Sequence, residues 1–117
     1  MTMTQVDDSG DRREFDSGAV RDMAYGKGRF DLVPWEVIWR LAKHYEAGCT
    51  KYGERNWEKG IPSKSFIDSA FRHLVKYCIG MRDEDHLIAA IWNLCGVAYN
   101  EEHHPELGYM NAETDKE

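Results

Sequence analysis

Apolar residues recur at spacings of three and four through Val37, Ile38, Leu41, Tyr45, then Gly48 or Cys49, then Tyr52. That period puts them on one face of a helix. Pro34 suits its first turn, and Glu36 lies near its positive end. Gly53, which tolerates positive φ, is its natural stop. The spacing therefore predicts a first helix from Pro34 to about Tyr52. A second stripe runs through Phe66, Ile67, Ala70, Phe71, Leu74, Val75 and Cys78. Pro62 with Ser63 or Ser65 opens that helix, and Gly80 closes it. A third helix follows a charged connector, Met81 to His86, in which Asp83 or Asp85 is placed to cap it. It ends at about Pro105.

The third helix differs from the first two. Leu87, Ile88, Ala90, Ile91, Trp92, Leu94, Cys95, Val97, Ala98 and Tyr99 cover more than half of its circumference. A helix apolar that far round is buried on several sides. Three helices of this length do not suffice to surround it. The expected fold is therefore all-α, a small bundle of three main helices completed by homo-oligomerisation through the helix around Trp92. The expected organisation is a disordered acidic tail at 1–13, one helical domain at 14–104 and a second acidic tail at 105–117. Within the domain, 14–33 form a glycine-rich arm and 34–104 carry the helices.

Composition narrows the function classes. A chain of 117 residues with 42% hydrophobic content fits one globular domain. The formal net charge is −6, but it belongs to the ends. Residues 1–24 carry −3, residues 101–117 carry −5, and the stretch between them carries +2. The folded part can accept an anionic ligand, yet it is not basic enough for duplex nucleic acid. No apolar run is long enough for a bilayer, so no membrane role is expected. The N-terminal residues show no signal pattern. Cys49, Cys78 and Cys95 are too scattered for a disulfide framework, and each falls on a face expected to be buried. A reduced, cytoplasmic setting follows as an expectation.

Candidate chemistry gathers where the first helix stops. Lys51, Tyr52, Asn56 and Trp57 offer a cation for phosphate, flat faces for a base and an amide for its edge. The same residues also suit a core cap with a solvated lysine. In the arm, Arg21, Lys27 and Arg29 stand among Gly18, Gly26 and Gly28, which suits backbone amides and cations approaching a phosphate. It equally suits an arm folding over the domain. Asp68 and Arg72 lie one turn apart, as an intrahelical ion pair would. His73 lies on the other flank of that helix. His86, Asn93 and Asn100 form a narrow polar strip on the third helix, and a buried Asn must be hydrogen-bonded. Asp83, Glu84, Asp85 and His86 suit a divalent cation such as Mg²⁺ or Mn²⁺, or simply a capped helix with a solvated acidic turn. No role is expected for His103 and His104.

These residues include several ordered stretches: Ser17 to Asp22, Gly26 to Pro34, Lys51-Tyr52-Gly53 with Asn56-Trp57, Ala70 with Arg72-His73, and Asp85-His86-Leu87 with Trp92-Asn93. In their order and spacing they resemble the phage-associated dATP/dGTP diphosphohydrolase N-terminal domain family, which is similar to the MazG-like all-α nucleoside-triphosphate pyrophosphatases. The resemblance implies hydrolysis of a purine deoxynucleoside triphosphate to monophosphate and pyrophosphate, in the host cytosol. It also implies Mg²⁺ or Mn²⁺ on the phosphates and in-line attack by water. On that expectation Asp68 and His73 are catalytic, and Glu46, Asp68, Asp85 and His86 hold the metal. Arg21, Lys27, Arg29, Lys51 and Arg72 hold phosphates. Tyr52 or Trp57 stacks on the purine, and Asn56 or Asn93 reads its edge. The wider relatives use Glu-x-x-Glu and Glu-x-x-Asp pairs on successive helices. Here one counterpart offers only Asp68, followed by Arg72 and His73, and the other reads Ala90-Ile91-Trp92-Asn93, with no carboxylate. The alternative expectation is thus a non-catalytic phage protein that sequesters or senses a nucleotide, such as a signalling nucleotide, on the same fold.

Overall fold

Residues 10–109 are described by a computed structural model of the chain. Residues 1–9 and 110–117, which make up most of the two expected tails, lie outside the described residues. The chain divides into two compact units between Val33 and Pro34. The first holds a small hairpin. Strand β1 (Arg12–Glu14) pairs antiparallel with β2 (Val20–Asp22), with Arg12 opposite Asp22 and Glu14 opposite Val20. Gly18, at φ 88°, turns the chain, and its N–H donates to the Phe15 carbonyl at 2.8 Å. Strands of three residues are too short to leave a legible period, so this hairpin has no signature in the hydrophobic pattern.

The second unit carries the three helices, α1 (Trp35–Tyr52), α2 (Ser63–Cys78) and α3 (His86–His103). The chain is a small helical bundle, as the periodicity predicts. Pro34 precedes α1, and Gly53 stops it at φ 91° with its N–H on the Cys49 carbonyl. Pro62 precedes α2. Asp85 caps α3, accepting from the Ile88 N–H at 3.2 Å.

The core lies between α2 and α3. Phe66 and Ala70 from α2 are buried against Ile88, Ala89 and Ala90 from α3. Gly96 makes the close approach possible, because Phe66 occupies the space where a side chain would stand. Asn100 ties the far end of α3 to the start of α2. Its Nδ2 donates to the Ile61 carbonyl at 2.7 Å and to Ser63 Oγ at 3.0 Å. The interior packing of α1 is aromatic: Trp92 sits against Tyr45 at 5.9 Å and Phe66 at 5.8 Å between ring centres.

Arg40 of α1 grips Asp85 with two nitrogens, at 2.8 and 3.1 Å. Asp85 therefore serves the cap and the α1–α3 junction together. Its carboxyl is held below the usual range, first by the hydrogen bond from Arg40. A depressed carboxylate contributes stability above the unfolded pKa, near 3.8, and loses it as pH falls through the folded value. Asp85→Ala is expected to cost about 1 kcal/mol, the usual value of a lost cap. A lower urea midpoint at neutral pH is the check. The difference from the parent should shrink as both are taken below the carboxylate range.

Several apolar residues of the stripes stay uncovered within one chain. Phe71 is 65% exposed and Leu94 53%. With Ile67, Leu74, Leu87 and Ile91 they line an open apolar groove of about 260 Å³ between α2 and α3. The cysteines correct the expectation made for them: Cys49 and Cys78 are exposed and Cys95 is half-buried. Periodicity marks which face of a helix is apolar, and not whether the same chain covers it. Among the described residues, no helix is long and apolar enough to cross a membrane.

Candidate functional site

One face of α1 carries His44, Ala47, Gly48, Lys51 and Tyr52, at helical spacings of three and four. Ser69 and His73, one turn apart, face them from α2. Trp92 and Asn93 come from α3, and Glu84 from the connector before it. Together these residues line an open cleft of about 320 Å³. Lys51 stands at its rim, with Nζ 5.1 Å from the centre of the Tyr52 ring. Asn93 is buried, and its Nδ2 donates to the Ala89 carbonyl at 2.8 Å.

Two imidazoles meet beside the cleft. His73 Nδ1 lies 2.9 Å from His86 Nδ1. His86 Nε2 lies 2.7 Å from Asp83 Oδ1. An ionised carboxylate only accepts, so His86 carries its proton on Nε2, and Nδ1 is its acceptor toward His73. Glu84 Oε1 stands 3.8 Å from His73 Nδ1. Burial pushes the pKa of His73 below the ordinary imidazole value, against the opposing pull of Glu84. Burial also lowers His44, against Glu84 and Asp85. His44 packs on Trp92 with ring centres 5.5 Å apart.

The cleft unites some of the candidate residues and leaves others apart. Lys51, Tyr52, His73 and Asn93 line it, and His86 supports it through His73. Asn56 and Trp57 belong instead to a neighbouring hollow of about 30 Å³, which Tyr52 also borders. Trp57 also borders a larger open hollow of about 370 Å³, with Tyr45, Cys49, Glu54 and Arg55. Trp57 packs edge-on against Tyr99, with ring centres 4.8 Å apart. Asp68 and Arg72 pair with each other on the exposed side of α2, outside the cleft lining. Glu46 is exposed on α1 and likewise does not line the cleft. Asp85 is engaged by Arg40. Arg21, Lys27 and Arg29 lie in the first unit, where Lys27 pairs with Asp22 and Arg29 with Asp31, each at 2.8 Å.

His44, Ser69 and Trp92 join the site without having been singled out as site residues from the sequence. His44, Gly48 and Tyr52 at one-turn spacing were the legible signal for the α1 wall. Glu84 sits in a connector, where no period operates.

Among the described residues, His73, Glu84 and His86 form a group whose ligand atoms all lie within 4.8 Å of one another. Two imidazole nitrogens and one carboxylate suit first-row transition ions. They do not suit Mg²⁺, which takes oxygen ligands in a near-octahedral shell. A family model described as dATP/dGTP diphosphohydrolase, N-terminal, matches residues 17–109. No curated protein and no solved structure matches the chain.

Proposed function

The chain belongs to the dATP/dGTP diphosphohydrolase N-terminal domain family, and from that premise we propose that its cleft binds a purine deoxynucleoside triphosphate and hydrolyses it to monophosphate and pyrophosphate. The observation that carries this reading is the convergence of Lys51, Tyr52, His44, His73, Trp92 and Asn93 on one open cleft. Lys51 supplies a cation for the phosphates. Tyr52 at the rim supplies a flat face for the purine. The Asn93 amide, one end tied to Ala89, offers its oxygen to a donor on the base edge.

In the reaction, the oxygen of a water bonds to the α-phosphorus. The bridging α–β oxygen leaves with pyrophosphate, and the water's proton must be taken up. His44 suits that role, since it lines the cleft and burial favours its neutral form. His73, Glu84 and His86 would hold a divalent ion, and Mn²⁺ accepts such donors where Mg²⁺ does not. Bound there, an ion would polarise the phosphate and ready the water. We place the reaction in the host cytosol of a phage, with a second copy of the chain covering the apolar groove of α2 and α3. A monomeric mass in light scattering at micromolar concentration would remove that last element.

One observation favours the sequestering reading. The carboxylates of Asp68 and Asp85 are paired with arginines, and among the described residues Glu84 is the one carboxylate lining the cleft. The two readings separate in one experiment. Purified protein is incubated with deoxynucleoside triphosphates and cyclic nucleotides, with Mn²⁺ and with Mg²⁺. Chromatography and equilibrium dialysis are run on the same samples. The expected result is purine monophosphate and pyrophosphate in equal amounts. Tight binding with the nucleotide recovered intact establishes sequestration instead. Neither turnover nor binding would sink both.

A further inference from the structure

His73, Glu84 and His86 reach one point from α2, from the connector and from the first residue of α3. We infer that these three side chains form a binding site for a divalent transition-metal ion, selected against Mg²⁺ by its two nitrogen donors. The inference deepens the hydrolase reading. The ion's role beside the phosphates rests on that reading, whereas the site itself does not.

The geometry is close to that of an occupied site. The two Nδ1 atoms are 2.9 Å apart, and Glu84 Oε1 is 3.8 Å from that of His73. Two nitrogens each ~2.1 Å from one ion at a tetrahedral angle stand about 3.4 Å apart. The rings need to part by roughly half an ångström to admit it. Glu84 is half exposed, at 50%, and a change of its side-chain rotamer would bring the carboxylate onto the ion. His86 cannot turn away, because its side chain is 1% exposed and Asp83 holds its Nε2. That hydrogen bond presents the Nδ1 lone pair toward His73. A carboxylate on the far nitrogen of an imidazole is the usual way a ligating histidine is oriented and made more basic. Asp83 is thus a positioning residue here, and Glu84 a ligand.

Two imidazoles meeting through like nitrogens hold together when one shared proton lies between them. An ion takes the position of that proton, which leaves His73 Nδ1 for solvent while His73 takes its proton on Nε2, and both Nδ1 lone pairs then face the ion. Mg²⁺ gains little from such donors and retains its waters. Co²⁺, Zn²⁺ and Mn²⁺ accept imidazole and carboxylate together.

The test uses the whole chain, stripped with a chelator and titrated with Co²⁺, whose visible absorption reports coordination by nitrogen. We expect a band that saturates at one equivalent and survives a hundredfold excess of Mg²⁺. His73→Ala and Glu84→Gln, both at partly exposed positions, should remove or strongly weaken it with the circular dichroism unchanged. Asp83→Asn should weaken Co²⁺ binding by about 10–100-fold, the usual effect of losing an orienting carboxylate. His103→Ala should leave the band as it is. No band at one equivalent would overturn the site. So would a band that persists in His73→Ala or vanishes in His103→Ala. Hydrolysis lost with the band intact counts against the proposed activity alone, and the band absent with hydrolysis intact counts against the site alone.

Discussion

Gly96→Ala is expected to destabilise the helical unit by about 1–3 kcal/mol, the range for overpacking a close-fitted core. A Cβ built at Gly96 would stand 2.5 Å from Phe66 Cζ and 2.6 Å from Phe66 Cε1. Non-bonded carbons settle at ~3.5–4.0 Å, so something must shift by about an ångström. The ring has little room to do so. Phe66 is buried, and its other neighbours include Trp92 at 5.8 Å between ring centres. Alanine also favours the helix over glycine by about 1 kcal/mol. The steric term wins, because moving the ring disturbs the packing that joins α2 to α3. A thermal melt followed by circular dichroism should show a lower midpoint, by about 4–8 °C for each kcal/mol in a unit of this size. Combining Gly96→Ala with Phe66→Leu should cost less than the sum of the two, since the smaller side chain vacates the disputed space. A midpoint equal to or above the parent's would show that the α2–α3 approach is looser than described.

His44→Phe is expected to lower turnover of the preferred nucleotide by about 10²–10⁴-fold, the usual contribution of a positioned general base. Phenylalanine keeps a flat ring against Trp92, where His44 now packs at 5.5 Å. It removes the nitrogen that would take the water's proton. Nucleotide affinity should change little, since no phosphate contact is assigned to His44. Lys51→Ala should behave in the opposite way, weakening affinity by about 10–100-fold, the range for a hydrogen bond to a charged group. Rapid-quench turnover and equilibrium dialysis on both variants make the comparison. Equal turnover in His44→Phe and the parent would remove His44 from the chemistry. The pH profile carries a sign as well. Burial lowers His44 below 6.5, so the neutral base persists into mildly acidic solution. Activity should then fall only as pH drops through that lowered value.

Much of the fold was legible because its boundaries are set locally. Pro34, Gly53, Pro62 and Asp85 act through their own backbone or the next turn, and α1, α2 and α3 begin or end beside them. The polar strip of His86, Asn93 and Asn100 was legible too, and all three are buried and hydrogen-bonded. What a residue meets across the bundle was not. Asp85 reads as a candidate metal ligand until Arg40, 45 residues away, is found gripping it. Asp68 and Glu46 offer carboxylates by type, but their helices turn them outward, away from the cleft lining. Glu84 gains its meaning from His73 and His86, which only the α2–α3 turn brings together. Past the stop at Gly53 the chain turns, so that Tyr52 lines the cleft while Trp57 packs edge-on against Tyr99 instead. The exposure of Phe71 and Leu94 was likewise hidden, because an apolar stripe does not say whose surface covers it.

Whether the cleft between α1, α2 and α3 is the nucleotide site is tested most directly by the indole N–H signals of the four tryptophans during titration with dGTP. Trp92 lines the cleft, whereas Trp35 and Trp39 are exposed on α1 and do not line it. The Trp92 signal should shift in proportion to occupancy, with Trp35 and Trp39 unmoved. A shift of Trp35 or Trp39 with Trp92 unchanged at saturation would place the nucleotide elsewhere and contradict the assignment.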